Sequence, residues 1–372
     1  MDAQTKSQKN SVGSILFLLV IGAILVLPII FFNHSNETTL EKRNLAMLPK
    51  FFNDGEINGN LFKELENYVN DRFGLRDFLV DINTKISLYV FKISPSDDVL
   101  IGKENWLFYV KKIDGDNLPD FLKINKFTDS QLEDVKNNLE DKADWCKKNG
   151  IKFLFIAPPS KHSIYPEYYS LKRPEGETRL DQLINYLNKN SSVEVVDLRP
   201  DLLEAKNESL LYRETDTHWN NNGTYCGYKT IAKKVKELFP DIDFGEEIQY
   251  DITMSVGTGG DLPPIMGVKE YGKMTTFDYA PQGGYPYIFL KDEYRNGIIT
   301  EAIDVENSDL PKAIFFRDSF FDDLHPFVST LFSKTSYIWK FFTDDDKESI
   351  LNEKPDIVIF ELLERYMDLL AQ

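Results

Sequence analysis

Apolar residues run almost unbroken from Ile15 to Phe32, varied in character only by Gly22 and Pro28. A helix counted from Ser11 would be about 33 Å long, which matches the hydrocarbon core of a bilayer. Lys6 and Lys9 precede it. The expected topology is a cytoplasmic tail over 1–10, a transmembrane anchor over 11–32, and the bulk on the periplasmic or extracellular face. The alternative is a cleaved signal peptide. Its apolar region is usually shorter, and Phe32-Asn33-His34-Ser35 is a poor cleavage site.

Residues 33–95 read as a juxtamembrane region. Glu37–Pro49 is polar, aromatics are scattered up to Leu79, and Arg and Asp alternate through Asp71-Arg72-Phe73-Gly74-Leu75-Arg76-Asp77. That cluster is expected to be locally paired and solvated. Val80–Tyr89 has a helical composition, and Ser94-Pro95-Ser96 breaks the chain before a single domain over 96–372. Two apolar runs around a polar turn predict a hairpin over Val99–Tyr109. Helices and strands then alternate. Leu132, Val135, Leu139 and Cys146 recur at helical spacing, with Gly150 placed to end the helix. Ile151–Ala157 and Val193–Leu198 read as strands, with a helix over Leu180–Leu187 between them. Tyr225 to Phe239 forms one helical face, started by Asn220-Asn221-Asn222-Gly223. Ala313–Phe316, Tyr337–Phe341 and Ile357–Phe360 are further strands. Continuous apolar strands separated by helices imply an α/β fold with a parallel sheet covered on both faces. Residues 245–310, rich in Gly, Pro and Tyr, are expected to be an irregular insertion.

The formal net charge of -17 excludes a nucleic-acid backbone as partner, since no local basic patch offsets it. A neutral glycan is compatible with it. Cys146 and Cys226 both fall in predicted helices and read as two buried free thiols.

In open α/β sheets the ligand site lies beyond the carboxyl ends of the strands. Those ends present Ser160-Lys161-His162, Arg199, Arg317-Asp318-Ser319 and Glu361. Asp216 and His218 would diverge by about 200° on a helix but share a face in an extended segment, where a carboxylate can orient an imidazole. The other readings are a helix cap with an incidental histidine, or two metal ligands lacking a third. No metal is expected. Of the four histidines, His162 competes as base, while His34 and His325 lack an orienting carboxylate at such spacing. Ser319, at a strand-to-helix junction, is either an N-cap or a nucleophile whose turn aims backbone N–H groups at an oxyanion. Lys161 and His162 either contact substrate or cap a loop. Trp106, Phe108 and Tyr109 either stack on sugars or belong to the core.

Asp216-Thr217-His218-Trp219 and Arg317-Asp318-Ser319-Phe320-Phe321 resemble the SGNH-hydrolase-like domain of alginate O-acetyltransferases, particularly the membrane-anchored members. So do Asn70–Arg76, Ile101–Tyr109 and Gly259-Gly260-Asp261-Leu262. The resemblance implies a three-layer fold permuted so that Asp-His precedes Ser. It also implies acetyl transfer to a cell-surface or secreted polysaccharide, with Ser319 as nucleophile, His218 as base and Asp216 as orienter. A multi-pass membrane acyltransferase would supply acetyl groups, so no soluble cofactor is expected. The glycine that often precedes Asp-Ser in SGNH enzymes is Arg317 here. Asp261, Arg317 and Arg365, with Lys161 and His162, are candidates for oxyanion or substrate contacts. An O-acetyl esterase on the same scaffold would use the same acyl-enzyme. A non-catalytic glycan-binding or assembly protein is the remaining alternative.

Overall fold

The computed structural model describes residues 2–37, 44–53, 55–111, 117–294, 298–304 and 309–371. Parts of two expected regions, 38–43 and 54 in the juxtamembrane stretch and 295–297 and 305–308 in the insertion, lie outside the described residues. The chain divides into two compact units, Met1–Ile93 and Ser94–Gln372.

In the first unit, helix α1 (Asp2–Ile30) contains a stretch, Gly13–Ile30, long and apolar enough to cross a membrane. Helices α2 (Leu61–Asp71) and α3 (Arg76–Lys85) follow, and α3 runs on into a π-helical turn over Ile86–Phe91. The Arg/Asp cluster between α2 and α3 is not a solvated, locally paired segment. Arg72 is buried, and its guanidinium donates to the carbonyls of Asn33 (3.1 Å), Ser35 (2.9 Å) and Ala46 (3.1 Å). The Asp71 carboxylate accepts the Ala46 N–H at 2.8 Å. The carbonyls of an irregular segment need donors, and a guanidinium offers five in one plane. Only Arg76 and Asp77, 3.8 Å apart, fit the simpler expectation.

The second unit opens with β1 (Val99–Ile101) and β2 (Leu107–Tyr109), the expected antiparallel hairpin. Helix α4 (Asp129–Lys148) starts from a capping box between Thr128 and Gln131, and Gly150 follows it at φ +74°. Strand β3 (Lys152–Ala157), helix α5 (Arg179–Asn190), strand β4 (Val195–Asp197) and helix α6 (Asn221–Leu238) come next. The Asn220 side chain caps α6 by accepting from the N–H groups of Asn222 and Gly223. Strands β5 (Tyr250–Gly257) and β6 (Met274–Pro281) pair as a separate antiparallel ribbon. The remaining strands are β7 (Tyr287–Tyr294), β8 (Ile298–Asp304), β9 (Lys312–Phe316), β10 (Lys334–Ile338) and β11 (Ile357–Glu361).

The main sheet runs β4-β3-β11-β9-β10-β8-β7. Its first five strands are parallel, and β8 and β7 extend it antiparallel. Two expectations need correction. The 245–310 stretch is not irregular: it supplies four strands, two of them in the main sheet. The strongest apolar residues of β5, Ile252, Met254 and Val256, are all exposed, so burial gave them no pattern to reveal. The strand expected at Tyr337–Phe341 is β10, three residues earlier. Its first half contains Thr335 and Ser336, polar yet buried, with Ser336 Oγ donating to Glu353 at 2.6 Å.

Alternation along the buried strands divides the core into two layers. Leu154, Ile156, Ala313, Phe315, Ile357 and Ile359 join Ile231 and Val235 of α6 on one face. Phe153, Phe155, Ile314, Phe316, Val358 and Phe360 join α4 and α5 on the other. That is why these strands read as continuous apolar runs. Phe315 is fully buried, with its ring 4.8 Å from Tyr337 and 4.9 Å from Phe321. Phe315→Ala is expected to cost about 3–5 kcal/mol. Urea titration should show a lower midpoint at an unchanged slope.

Candidate active site

Strand β9 ends at Phe316, and the chain turns through Arg317-Asp318 into a 3-10 turn over Ser319–Phe321. Asp318 builds this corner. Its carboxylate accepts the N–H groups of Phe320 (2.8 Å) and Leu363 (3.0 Å), and its own N–H donates to Glu361 at 2.9 Å. Both acids are buried. Burial raises the Asp318 carboxyl. Burial and then the neighbouring Asp318 charge push Glu361 well above the usual range. Ser319 is left half-buried at the tip.

The Asp216-Thr217-His218 segment is a tight bend rather than an extended segment. Asp216 Oδ1 accepts both the His218 backbone N–H (2.9 Å) and its Nδ1–H (2.7 Å), so one oxygen curls the chain and orients the ring. With Nδ1 protonated by this assignment, Nε2 is free to accept, and it lies 3.0 Å from Ser319 Oγ. Asp216 Oδ2 accepts the N–H of Asp261 at 3.0 Å. Beneath the bend, Lys161 Nζ donates to the carbonyls of Arg213 (3.1 Å), Glu214 (3.1 Å) and Asp216 (2.6 Å). Burial pulls that ammonium down to about 8.

The Asp216 carboxyl is held at about 2. Burial opposes ionisation, but the His218 hydrogen bond and charge, and then Arg213, outweigh it. Burial likewise disfavours the imidazolium of His218. The Asp216 bond and the charges of Asp216, Asp261 and Asp323 overcome it, and the His218 pKa is raised. A hydroxyl, an imidazole and a carboxylate so arranged can move a proton off the serine and stabilise the resulting cation.

The other candidates fall elsewhere. His162 is buried between Phe121 and Tyr169, with burial lowering its pKa to about 3, and no bond joins it to Ser319 among the described residues. His34 meets Phe32 edge-to-face, and His325 meets Tyr337 in the same way. Asp261 is not an oxyanion donor. Its carboxylate accepts the Thr217 N–H (2.8 Å) and hydroxyl, behind the imidazole. It also completes a cluster with Asp216 and His218 whose ligand atoms lie within 4.8 Å of one another. The third group absent from the local spacing therefore comes from another loop, although Asp216 and His218 Nδ1 are already engaged with each other. Arg317 binds the Asp318 carbonyl and Asp322 and lies over Trp339, turned from Ser319. Arg365 lies over Tyr109 and Tyr366. With Lys161, His162, Thr217 and Phe320 it lines a cavity of about 20 Å³, room for roughly one water. Trp106 and Phe108 are core residues.

Two supports escaped sequence reasoning. Trp219 Nε1–H donates to the Phe320 carbonyl at 3.0 Å, tying the His218 bend to the Ser319 turn a second time. Buried Glu214 accepts the N–H (2.7 Å) and hydroxyl (2.8 Å) of Thr275, bringing β6 to the same bend. The tryptophan stands in the motif itself, but only its partner across the fold reveals its role.

Residues 99–282 match the family model described as "SGNH hydrolase-like domain, acetyltransferase AlgX". This stretch is similar to the SGNH hydrolase-like domain of alginate O-acetyltransferases. The match takes in Asp216, His218 and Asp261 and stops before Ser319. The chain is 22% identical over 263 residues to "Probable alginate O-acetylase AlgJ" of Pseudomonas syringae pv. tomato, covering 67% of this chain and 57% of that one. Against the protein of the same name from Azotobacter vinelandii it is 22% identical over 185 residues, covering 49% and 45%. The chain thus spans about half the length of the curated relatives it matches. Among solved structures, Bacillus cereus PatB1 superposes with a TM-score of 0.55 at 18% identity, over 72% of this chain and 96% of that one. That likeness supports the α/β fold with its parallel sheet.

The Gly-Gly-Asp segment of the domain has a physical requirement at Gly260. Its φ is +96°, and a Cβ there would stand 2.2 Å from the Thr215 carbonyl oxygen. Gly260→Ala is therefore expected to push Asp261 off Asp216, at a cost of about 1–3 kcal/mol in backbone strain. The expected readouts are a lower melting temperature and an upfield-shifted, more readily exchanged His218 Nδ1–H resonance. An unchanged resonance would count against the coupling.

Proposed function

We propose that this chain is a membrane-anchored O-acetyltransferase acting on a cell-surface or secreted polysaccharide outside the cytoplasm. The observation that carries this reading is the continuous line from Ser319 Oγ to His218 Nε2 (3.0 Å) and from His218 Nδ1 to Asp216 (2.7 Å), joining positions 101 residues apart. The kinship with alginate O-acetylases supplies the reaction class. In this reading α1 is the anchor, the Asp-His pair precedes the serine in a permuted order, and a multi-pass membrane acyltransferase delivers the acetyl group.

Ser319 Oγ attacks the acetyl carbonyl carbon of the donor while His218 Nε2 takes the serine proton. The donor's leaving group departs with that proton, and the acetyl group stays on Ser319. A polysaccharide hydroxyl then attacks the acetyl carbon, gives its proton to His218, and releases Ser319, which recovers the proton. Asp216 keeps Nδ1 protonated and stabilises the imidazolium in both halves. Lys161 acts as a positioning residue, because it gathers three carbonyls of the bend that holds Asp216.

An activated acetyl ester should leave one acetyl group on the peptide containing Ser319, read by mass spectrometry. His218→Ala should lower acyl transfer by about 10³-fold or more and abolish that label. His162→Ala should lower stability yet keep the label. Acetylation of another serine, or survival of the label in His218→Ala, would overturn the assignment.

The pH profile gives a second test. His218 must be neutral to take a proton, and its raised pKa means that the neutral form is lost as pH falls through a value above the ordinary 6.5. The acid limb of kcat/KM should therefore have its midpoint above 6.5, and Asp216→Asn should move it down while reducing the plateau. A midpoint below 6.5 in the unmodified protein speaks against this base.

A further inference from the structure

The first unit buries very little of itself. No residue of α2 is buried, α3 buries only Thr84, and the π-helical turn buries only Leu88. On the other side of the α3 helix and its π turn lies an apolar face. Leu79 (46% exposed), Ile82 (36%), Ile86 (42%) and Val90 (68%) lie roughly opposite to Thr84 and Leu88 at helical spacing, flanked by exposed Phe78 (58%). A water-facing helix would put charge there. A continuous apolar stripe of this size marks a surface made for another medium or partner.

What covers it follows from where it is attached. The turn between α2 and α3 is clamped to the end of α1. Gly74 N–H donates to the Pro28 carbonyl at 3.1 Å, and Asn33 N–H donates to the Arg72 carbonyl at 2.9 Å. A Cβ on Gly74 would stand 2.4 Å from that Pro28 oxygen, so only glycine lets the turn come so close. Pro28 lies inside the apolar run, so the start of α3 is fixed within one turn of the point where the chain leaves the lipid. Charge agrees. Residues 44–93 contain six Lys/Arg against seven Asp/Glu, so the surplus of negative charge lies outside this unit. This segment meets no electrostatic barrier at an anionic membrane surface.

The geometry points to a lipid surface as the occupant: α3 and its π-helical turn lie in the bilayer interface with the Phe78–Val90 face among the acyl chains. The proposal rests on the reading of α1 as a membrane anchor. Burial here comes from apolar area, so it does not require anionic lipid. A second helix at the interface also limits tilting about the anchor, because two attachments constrain more than one.

The test uses full-length protein in phosphatidylcholine vesicles with doxyl-labelled acyl chains. An environment-sensitive fluorophore is attached at one introduced cysteine, Ile86→Cys or Val90→Cys. Leu18→Cys reports on the anchor and Glu348→Cys on the second unit; the native Cys146 and Cys226 are buried. Strong quenching at positions 18, 86 and 90, at least twofold over that at 348, is expected. Quenching at 18 with positions 86 and 90 no different from 348 overturns the proposal while leaving the anchor, and makes the stripe a protein-docking face. No quenching at 18 removes the anchor and the proposal together. Equal quenching at 348 also overturns it, since contact would then not belong to this face.

Discussion

A single contact between two segments 101 residues apart, His218 Nε2 against Ser319 Oγ, sets the demands that the surrounding structure meets. One hydrogen bond of that kind is worth about 1 kcal/mol, too little to hold two loops in register. The register is kept by a parallel bond from the neighbouring residues, Trp219 Nε1 to the Phe320 carbonyl. Trp219 is fully buried, and its ring is packed so closely against Gly227 that a Cβ there would meet it at 3.2 Å. A rigid ring thus sets the distance at which a flexible proton donor and acceptor meet. In the proposed reaction, displacements near 1 Å in such an arrangement would cost about 10²-fold in rate.

The two sides of this contact handle buried charge differently. On the histidine side, the Asp216 carboxylate is kept ionised by several donors. Asp216 receives three N–H groups, Lys161 neutralises the carbonyls below, and Arg213 pairs with Asp323 at 2.8 Å. That negative surrounding favours an imidazolium. On the serine side, Asp318 and Glu361 are both fully enclosed, and burial drives both toward the neutral acid. Their hydrogen bonds shape the corner beneath the hydroxyl.

The two units also hold together by different means. The larger one is a sheet with an apolar layer on each face. The smaller one uses hydrogen bonds at a junction, where Arg72 collects carbonyls from residues 33, 35 and 46. Without a core of its own, that unit gains order from attachment to α1 and from whatever medium meets its apolar face.

Local pattern was enough for the elements whose burial is strong and regular. The hairpin at Val99–Tyr109, the parallel strands at 152–157, 312–316 and 357–361, and the apolar N-terminal helix were legible because period and hydrophobicity agree there. Ser319, His218 and Asp216 also stood out, through rarity of histidine and through motif. Strand β10 was misplaced because Thr335 and Ser336 are polar, and only their partners make burying them acceptable. The strands within 245–310 were hidden because the outer strand of their ribbon faces solvent and bears no inward pattern. Asp261 looked like a candidate for the serine's side and belongs behind the histidine, since a loop's destination depends on close approach at Gly260. Arg72 looked solvated and is buried. For Ser336, Asp261 and Arg72 the deciding partner lies 17 or more residues away. A chain encodes its periodicities locally, whereas which polar groups satisfy one another is settled only when the fold brings distant carbonyls, amides and charges into the same enclosed space.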